Sequence, residues 1–112
     1  MAVYANLPID QGSTYTSTVS VEGGNSLPFN LTGYSARGHI RKNYSSSSFT
    51  AFSTTINNAQ QGEINLSLTS TQTAALKAGR YVYDVEIIES STGNITRVVE
   101  GQVEIFPRAT VV

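Results

Sequence analysis

The stretch RYVYDVEII, from Arg80 to Ile88, alternates apolar with polar side chains, and a longer strand-like stretch, ITRVVEGQVEIF, runs from Ile95 to Phe106. Alternation of this kind is typical of a β-strand with one buried face. Turn residues lie between the two stretches, at 90–94, and Pro107 follows the second. The sequence therefore predicts a hairpin of two long antiparallel strands. The side chains expected to face the core are Tyr81, Tyr83, Val85, Ile87, Val99, Gly101, Val103 and Ile105.

Five further segments of the same kind precede this hairpin. They cover residues 3–9, 14–22, 34–42, 49–56 and 63–69, and turn-forming residues separate them. The pattern breaks at 70–78, where an Ala-rich run before Gly79 favours one short helical turn. Seven short strands and one helical turn predict an all-β fold, an immunoglobulin-like antiparallel β-sandwich formed by residues 1-112 as a single domain. A small barrel is the alternative.

The composition excludes several classes of protein. Lys and Arg number 7 against 8 Asp and Glu, which gives a net charge of -1, so no overall field would attract nucleic acid or an anionic membrane. The chain has no cysteine, which excludes disulfides and thiolate metal sites. No apolar run approaches the roughly 18 to 20 residues of a membrane span, and the N-terminus lacks the pattern of a signal peptide. We expect no cofactor, no membrane partner and no nucleic acid partner.

One basic cluster is a weak candidate for a binding patch. Arg37, His39 and Arg41 share one face of a predicted strand, and Tyr44 follows them in a Ser-rich loop. Proteins that bind single-stranded nucleic acid combine basic and aromatic side chains in this way. At this net charge, a solvated polar face or a contact with an acidic patch of another protein is the simpler interpretation. Tyr44 and Phe49 could alternatively form an aromatic platform for a carbohydrate.

The sequence contains no recognisable catalytic arrangement. His39 is the only histidine, and neither a Gly-x-Ser-x-Gly motif nor a phosphate-binding glycine loop is present. Four carboxylates would lie on the strands of the last hairpin, at Asp84, Glu86, Glu100 and Glu104. They could bind calcium, but strand backbones separate such ligands, so cross-strand pairing with Arg97 is the simpler interpretation. We therefore expect a protein that is not an enzyme.

A second candidate surface is apolar. Alternation places Val82, Ile88, Val98 and Phe106 on the face opposite the core, where a monomer in water would normally carry polar groups. We expect a homo-oligomer, as a closed ring or trimer, held together through these residues or through sheet edges.

Four segments, taken in order along the chain, resemble known proteins. They are NLTGYSARGHIR (30–41), LSLTSTQTAAL (66–76), GRYVYDVEI (79–87) and TRVVEGQVEI (96–105), with Pro107 after the last. They resemble segments of small virion structural proteins of tailed bacteriophages, notably those of marine cyanobacteria. The chain is also similar to the immunoglobulin-like N-terminal module of phage baseplate upper proteins, in which the Leu-Thr-Gly-Tyr, Gly-Arg-Tyr-x-Tyr-Asp and Glu-Gly-x-Val elements recur in this order.

This resemblance implies a non-enzymatic virion structural protein of the tail, baseplate or capsid. Its implied partners are other copies of itself and other virion proteins. Its implied location is the phage particle, after synthesis in the cytoplasm of the host bacterium. The alternative function is that of a module that binds carbohydrate or another part of the host surface.

Overall fold

The computed structural model of the protein describes residues 3–22 and 27–109. Nine β-strands, a 3-10 helix and a short α-helix follow one another in these residues. Their bounds are β1 Val3–Tyr4, β2 Leu7–Asp10, β3 Tyr15–Ser20, β4 Tyr34–Arg41, β5 Thr50–Ala51, β6 Ser53–Asn58, the 3-10 helix Ala59–Gln61, β7 Glu63–Leu68, α1 Ser70–Ala75, β8 Gly79–Glu89 and β9 Ile95–Phe106.

The strands form two sheets. In the first sheet β1 and β2 both pair with β9, and the order continues through β8 and β4 to β5. The second sheet has the order β3-β7-β6. Apolar side chains of both sheets, among them Ile64 and Leu66 of β7 and Val85 and Val103 of the hairpin, are fully buried in one cluster. The predicted all-β sandwich is confirmed, with a mixed first sheet in place of a purely antiparallel one.

The parallel pairing of β1 and β2 with β9 makes the first sheet mixed. Val3 lies opposite Val99 and Leu7 lies opposite Val103, so both short strands keep the same register. Gly101 permits this close approach, because a Cβ atom at that position would overlap the carbonyl oxygen of Ala5. The predicted strand at 3–9 is therefore two strands that run in the same direction as β9.

The predicted strand at 49–56 is also divided, because the chain changes sheets at Phe52. Thr50–Ala51 pairs with β4 in the first sheet, whereas Ser53–Asn58 pairs with β7 in the second. The Phe52 N–H donates to the Gly38 carbonyl at 2.9 Å, and the buried Phe52 ring lies edge-on to Tyr83 with 6.0 Å between ring centroids. This crossing places one aromatic side chain between the two sheets.

The predicted helical turn at 70–78 exists but is shorter. A capping box, in which Thr69 and Gln72 exchange side-chain and backbone hydrogen bonds, starts α1 and leaves it six residues long. Gly79 is not a helix cap: it is the first residue of β8, at a φ of 138°. No helix within the described ranges has the length and apolar character needed to cross a membrane.

Candidate functional site

The outward face of the first sheet carries rows of charged side chains that run across three strands. Register places Arg37 opposite Glu86 and His39 opposite Asp84. The Arg37 Nε atom lies 2.9 Å from Glu86 Oε1, and Arg97 Nε lies 3.3 Å from Asp84 Oδ2. Arg97 also reaches Glu100, at 3.4 Å. Cross-strand pairing with Arg97 is thus found for Asp84, whereas Glu86 pairs across strands with Arg37 and Glu100 meets Arg97 within β9. No group of three or more metal-ligating side chains occurs among the described residues.

A cleft of about 420 Å³ lies at one side of this face, where the loop at 42–49 stands over β4 and β8. Its wall is this loop, and its floor is the outward face of the two strands. The lining includes every member of the predicted binding patch, so the structure brings the patch together. The side chains that line the cleft include those of Arg37, His39, Arg41, Tyr44, Phe49, Asp84 and Glu86.

Side chains of the predicted patch contact the loop above the sheet at two points. The His39 and Phe49 rings stack with 4.0 Å between centroids and an interplanar angle of 12°. Arg41 Nη1 donates to the carbonyl oxygen of Ser46 at 2.9 Å. Two of the three basic side chains of the predicted patch thus position the loop, and the cleft owes its shape to them.

Asp84 and Glu86 are the charged cleft residues that the predicted patch did not include. Glu86 lies on β8 opposite Arg37 and Asp84 lies opposite His39, so the floor carries negative as well as positive charge. A phosphate that approached the two guanidinium groups would meet carboxylates on the same floor, which disfavours nucleic acid. Alternation along β8 already placed Asp84 and Glu86 on the outward face. Pairing β8 with β4 would have brought them next to the basic residues.

The predicted outward position of Val98 is wrong. Its side chain is only 5% exposed and belongs to the core. The pairing of β8 with β9 shifts between Val85 and Glu86: Val85 lies opposite Val99, but Glu86 lies opposite Arg97. Val98 is the extra residue of this β-bulge, and the bulge turns it inward.

The structure does not gather the other three residues of the predicted apolar interface into one patch. Val82 and Ile88 are half-buried, and Phe106 is 42% exposed. Ile88 pairs with Ile95 at one end of β9, whereas Phe106 ends the strand about 35 Å away at the usual rise per residue. Rows of charged side chains lie between them. A role of these residues in an interface stays a prediction.

One buried titratable side chain lies beneath the same face. The Tyr83 hydroxyl donates to the carbonyl oxygen of Ala5 at 2.6 Å. Burial, and to a lesser degree the nearby phenols of Tyr15 and Tyr4, raises the pKa of Tyr83 far above its usual value. This side chain therefore stays neutral and ties the N-terminal segment to β8.

Comparison with known proteins gives a likeness of fold. No protein-family model matches the chain, and no curated protein is similar to it in sequence. Solved structures do match it, and one of them is the N-terminal domain of phage TP901-1 ORF48. The match has a TM-score of 0.58 at 10% sequence identity and covers 90% of this chain and 84% of that chain. The chain thus shares its fold, over nearly its whole length, with a domain of a phage protein.

Proposed function

We propose that the protein is a structural component of a tailed-phage particle and acts by binding other virion proteins and further copies of itself. The observation that carries this proposal is the fold likeness to the N-terminal domain of phage TP901-1 ORF48, which extends over 90% of the chain. The four ordered segments that resemble phage virion proteins point in the same direction. All of them lie within the described sandwich, between Asn30 and Ile105.

We further infer that the sandwich is of the immunoglobulin type. The orders β3-β7-β6 and β9-β8-β4-β5 correspond to strands B-E-D and G-F-C-C′ of that fold. Tyr81, near the start of β8, donates its hydroxyl proton to the carbonyl oxygen of Lys77 at 2.9 Å. This contact has the position and the direction of the tyrosine corner of immunoglobulin-like domains. Both features support the relation to phage modules of the same type.

The edge strand β3 is the surface that best suits assembly. Its sequence, YTSTVS, contains neither a charged residue nor proline, and it pairs only with β7 among the described strands. Proteins usually protect an exposed edge with charges, prolines or bulges, because the free backbone groups of an edge can pair with another chain. The other edge of this sheet, β6, is also uncharged. Contact of β3 with β3 would give a dimer, and contact of β3 with β6 of the next copy would give a ring or trimer.

Mass spectrometry of purified particles of the phage that encodes the protein tests this proposal. We expect peptides of the chain in the particles, at a copy number that is constant between preparations relative to the major capsid protein. Abundant protein in the infected-cell lysate together with its absence from purified particles would overturn the proposal.

A second candidate function is that of a module that binds carbohydrate or another part of the host surface. The observation that favours it is the cleft beneath the loop at 42–49, where Tyr44 and Phe49 remain 54% and 55% exposed.

A further inference from the structure

We propose that the cleft beneath the loop at 42–49 is a binding subsite for a neutral saccharide, held by the Phe49 ring and by the carboxylates of Asp84 and Glu86. This inference rests on the second candidate function and is independent of the place of the protein in a particle.

The aromatic wall offers a flat apolar surface to a ligand. One face of the Phe49 ring lies against His39, which fixes its orientation, while the side chain as a whole remains 55% exposed. Tyr44 lines the same cleft and is 54% exposed. An aromatic ring presents a flat apolar face, and the C–H face of a sugar ring is a partner of matching shape and polarity.

The floor supplies hydrogen-bond acceptors that the protein itself does not use up. Glu86 engages Arg37 through Oε1, and Asp84 engages Arg97 through Oδ2. Within the described residues, the second oxygen of each carboxylate forms no hydrogen bond or ion pair with the protein. An ionised carboxylate only accepts hydrogen bonds, so its natural ligands are donors such as sugar hydroxyl groups. Arg41 uses one N–H on the Ser46 carbonyl, and its remaining N–H groups can donate to the oxygens of the same sugar.

The balance of charge selects a neutral ligand. Arg37 and Arg41 contribute two positive charges to the lining, and Asp84 and Glu86 contribute two negative charges. Arg97, which contacts Asp84 beside the cleft, is balanced by its second partner Glu100. An anionic ligand would gain from the first pair and be repelled by the second, and a cation would meet the reverse arrangement. A sugar hydroxyl both donates and accepts, so it can satisfy both kinds of group without a net charge. The volume of about 420 Å³ falls within the usual range of small-molecule sites and suits a short segment of an oligosaccharide.

A glycan array that carries both neutral and sialylated glycans, followed by calorimetric titration with the best free oligosaccharide, tests the proposal. The wild-type protein should prefer neutral glycans. Phe49→Ala should weaken binding about tenfold or more, the equivalent of about 1.4 kcal/mol. Phe49→Ala also removes the stacking on His39, so its thermal midpoint should fall, but by less than the loss of a fully buried ring would cause, because the side chain is 55% exposed. Asp84→Asn should weaken binding as well, since it replaces an acceptor oxygen by a donor.

Tyr4→Ala is the matched control. Tyr4 is an exposed aromatic residue of the same sheet, at 64% exposure, but it lies on β1, outside the cleft. The affinity of Tyr4→Ala for the glycan should equal that of the wild type. Absence of binding by the folded protein, equal losses in Tyr4→Ala and Phe49→Ala, or a preference for sialylated glycans, single-stranded oligonucleotides or peptides would overturn the proposal. Detection of the protein in phage particles is measured separately, so failure of either proposal leaves the other intact.

Discussion

Val98 and Val99 are consecutive residues of β9, yet both side chains are buried, at 5% and 3% exposure. In a regular strand, two successive side chains point to opposite faces. Here the β-bulge opposite Val85 and Glu86 inserts Val98 between two registers, so that both valines reach the core.

Val98→Ala should therefore destabilise the fold, because it removes two buried carbon atoms and leaves a cavity. We expect the free energy of unfolding to fall by about 2 kcal/mol, as read from the midpoint of urea denaturation. Val82→Ala removes the same atoms from a half-buried position on the outward face and should cost less. Equal losses in the two variants would contradict the inward placement of Val98.

Tyr81→Phe should weaken the connection between α1 and β8. The substitution removes the hydroxyl group that donates to the Lys77 carbonyl at 2.9 Å and leaves the ring in place. The expected loss is about 1 kcal/mol in the free energy of unfolding, typical of one hydrogen bond. Tyr44→Phe is the control, since the Tyr44 ring is exposed and its hydroxyl forms no hydrogen bond among the described residues. Wild-type stability in Tyr81→Phe would contradict a contribution of the Lys77 contact, and an equal loss in Tyr44→Phe would show that the loss is not specific to that contact.

The stability of the protein should decline in alkaline solution because of Tyr83. Its pKa is raised in the folded state, chiefly by burial, so the folded protein holds the phenolic proton more tightly than the unfolded chain does. The contribution of Tyr83 to the free energy of unfolding should be constant below about pH 10, which is the usual pKa of tyrosine. It should fall as the pH rises above that value. Tyr83→Phe should be less stable at neutral pH, because it loses the bond to Ala5. The free energy of unfolding of Tyr83→Phe should nevertheless change less than that of the wild type between about pH 9 and about pH 11. Parallel curves for the two proteins would contradict this assignment.

Alternation in the sequence was sufficient to predict the hairpin and its buried face, because Tyr83, Val85, Val103 and Ile105 lie in regular, two-sided strands. It failed where the backbone departs from that regularity. The bulge at Val98 is set by pairing with β8, which one strand's sequence does not reveal. The parallel pairing of β1 and β2 with β9 joins residues nearly a hundred positions apart, such as Val3 and Val99.

The sequence predicted the basic residues of the candidate cleft but not the whole cleft. The basic residues of its floor share one strand, so their common face followed from alternation. The acidic residues and the loop reach the cleft through tertiary contacts: the register of β4 with β8, and the stacking of Phe49 on His39. Local sequence carries no signal for either contact.

Gly101→Ala should displace the N-terminal segment from β9. A Cβ atom at this position would overlap the Ala5 carbonyl oxygen and press on the Tyr83 ring, so the segment must move or the core must expand. Overpacking of this kind typically costs about 1 to 3 kcal/mol. Hydrogen exchange resolves the location: the Ala5 amide, which donates to the Glu100 carbonyl at 2.8 Å, should exchange faster than in the wild type. The Val21 amide, which donates to Gly62 in another part of the fold, should lose less protection. Unchanged protection at Ala5 would contradict the close approach.

Thr16→Lys should weaken self-association through the β3 edge. Thr16 is exposed on that strand, and a lysine there places a charge beside the free backbone groups, the means by which natural edges avoid pairing. Light scattering at increasing protein concentration should give an oligomeric mass for the wild type and a smaller one for Thr16→Lys.

Ser53→Lys distinguishes two modes of contact. It places the same charge on β6 in the same cross-strand row as Thr16, since Thr16 and Ser53 both lie opposite Ser67. If Ser53→Lys also dissociates the oligomer, the contact joins β3 to β6 of the next copy, as a ring requires; if it does not, the contact joins β3 to β3. Ser91→Lys, in the hairpin loop after β8, should leave the mass unchanged. A monomeric wild type at every concentration would overturn self-association and leave a different virion protein as the partner of this edge.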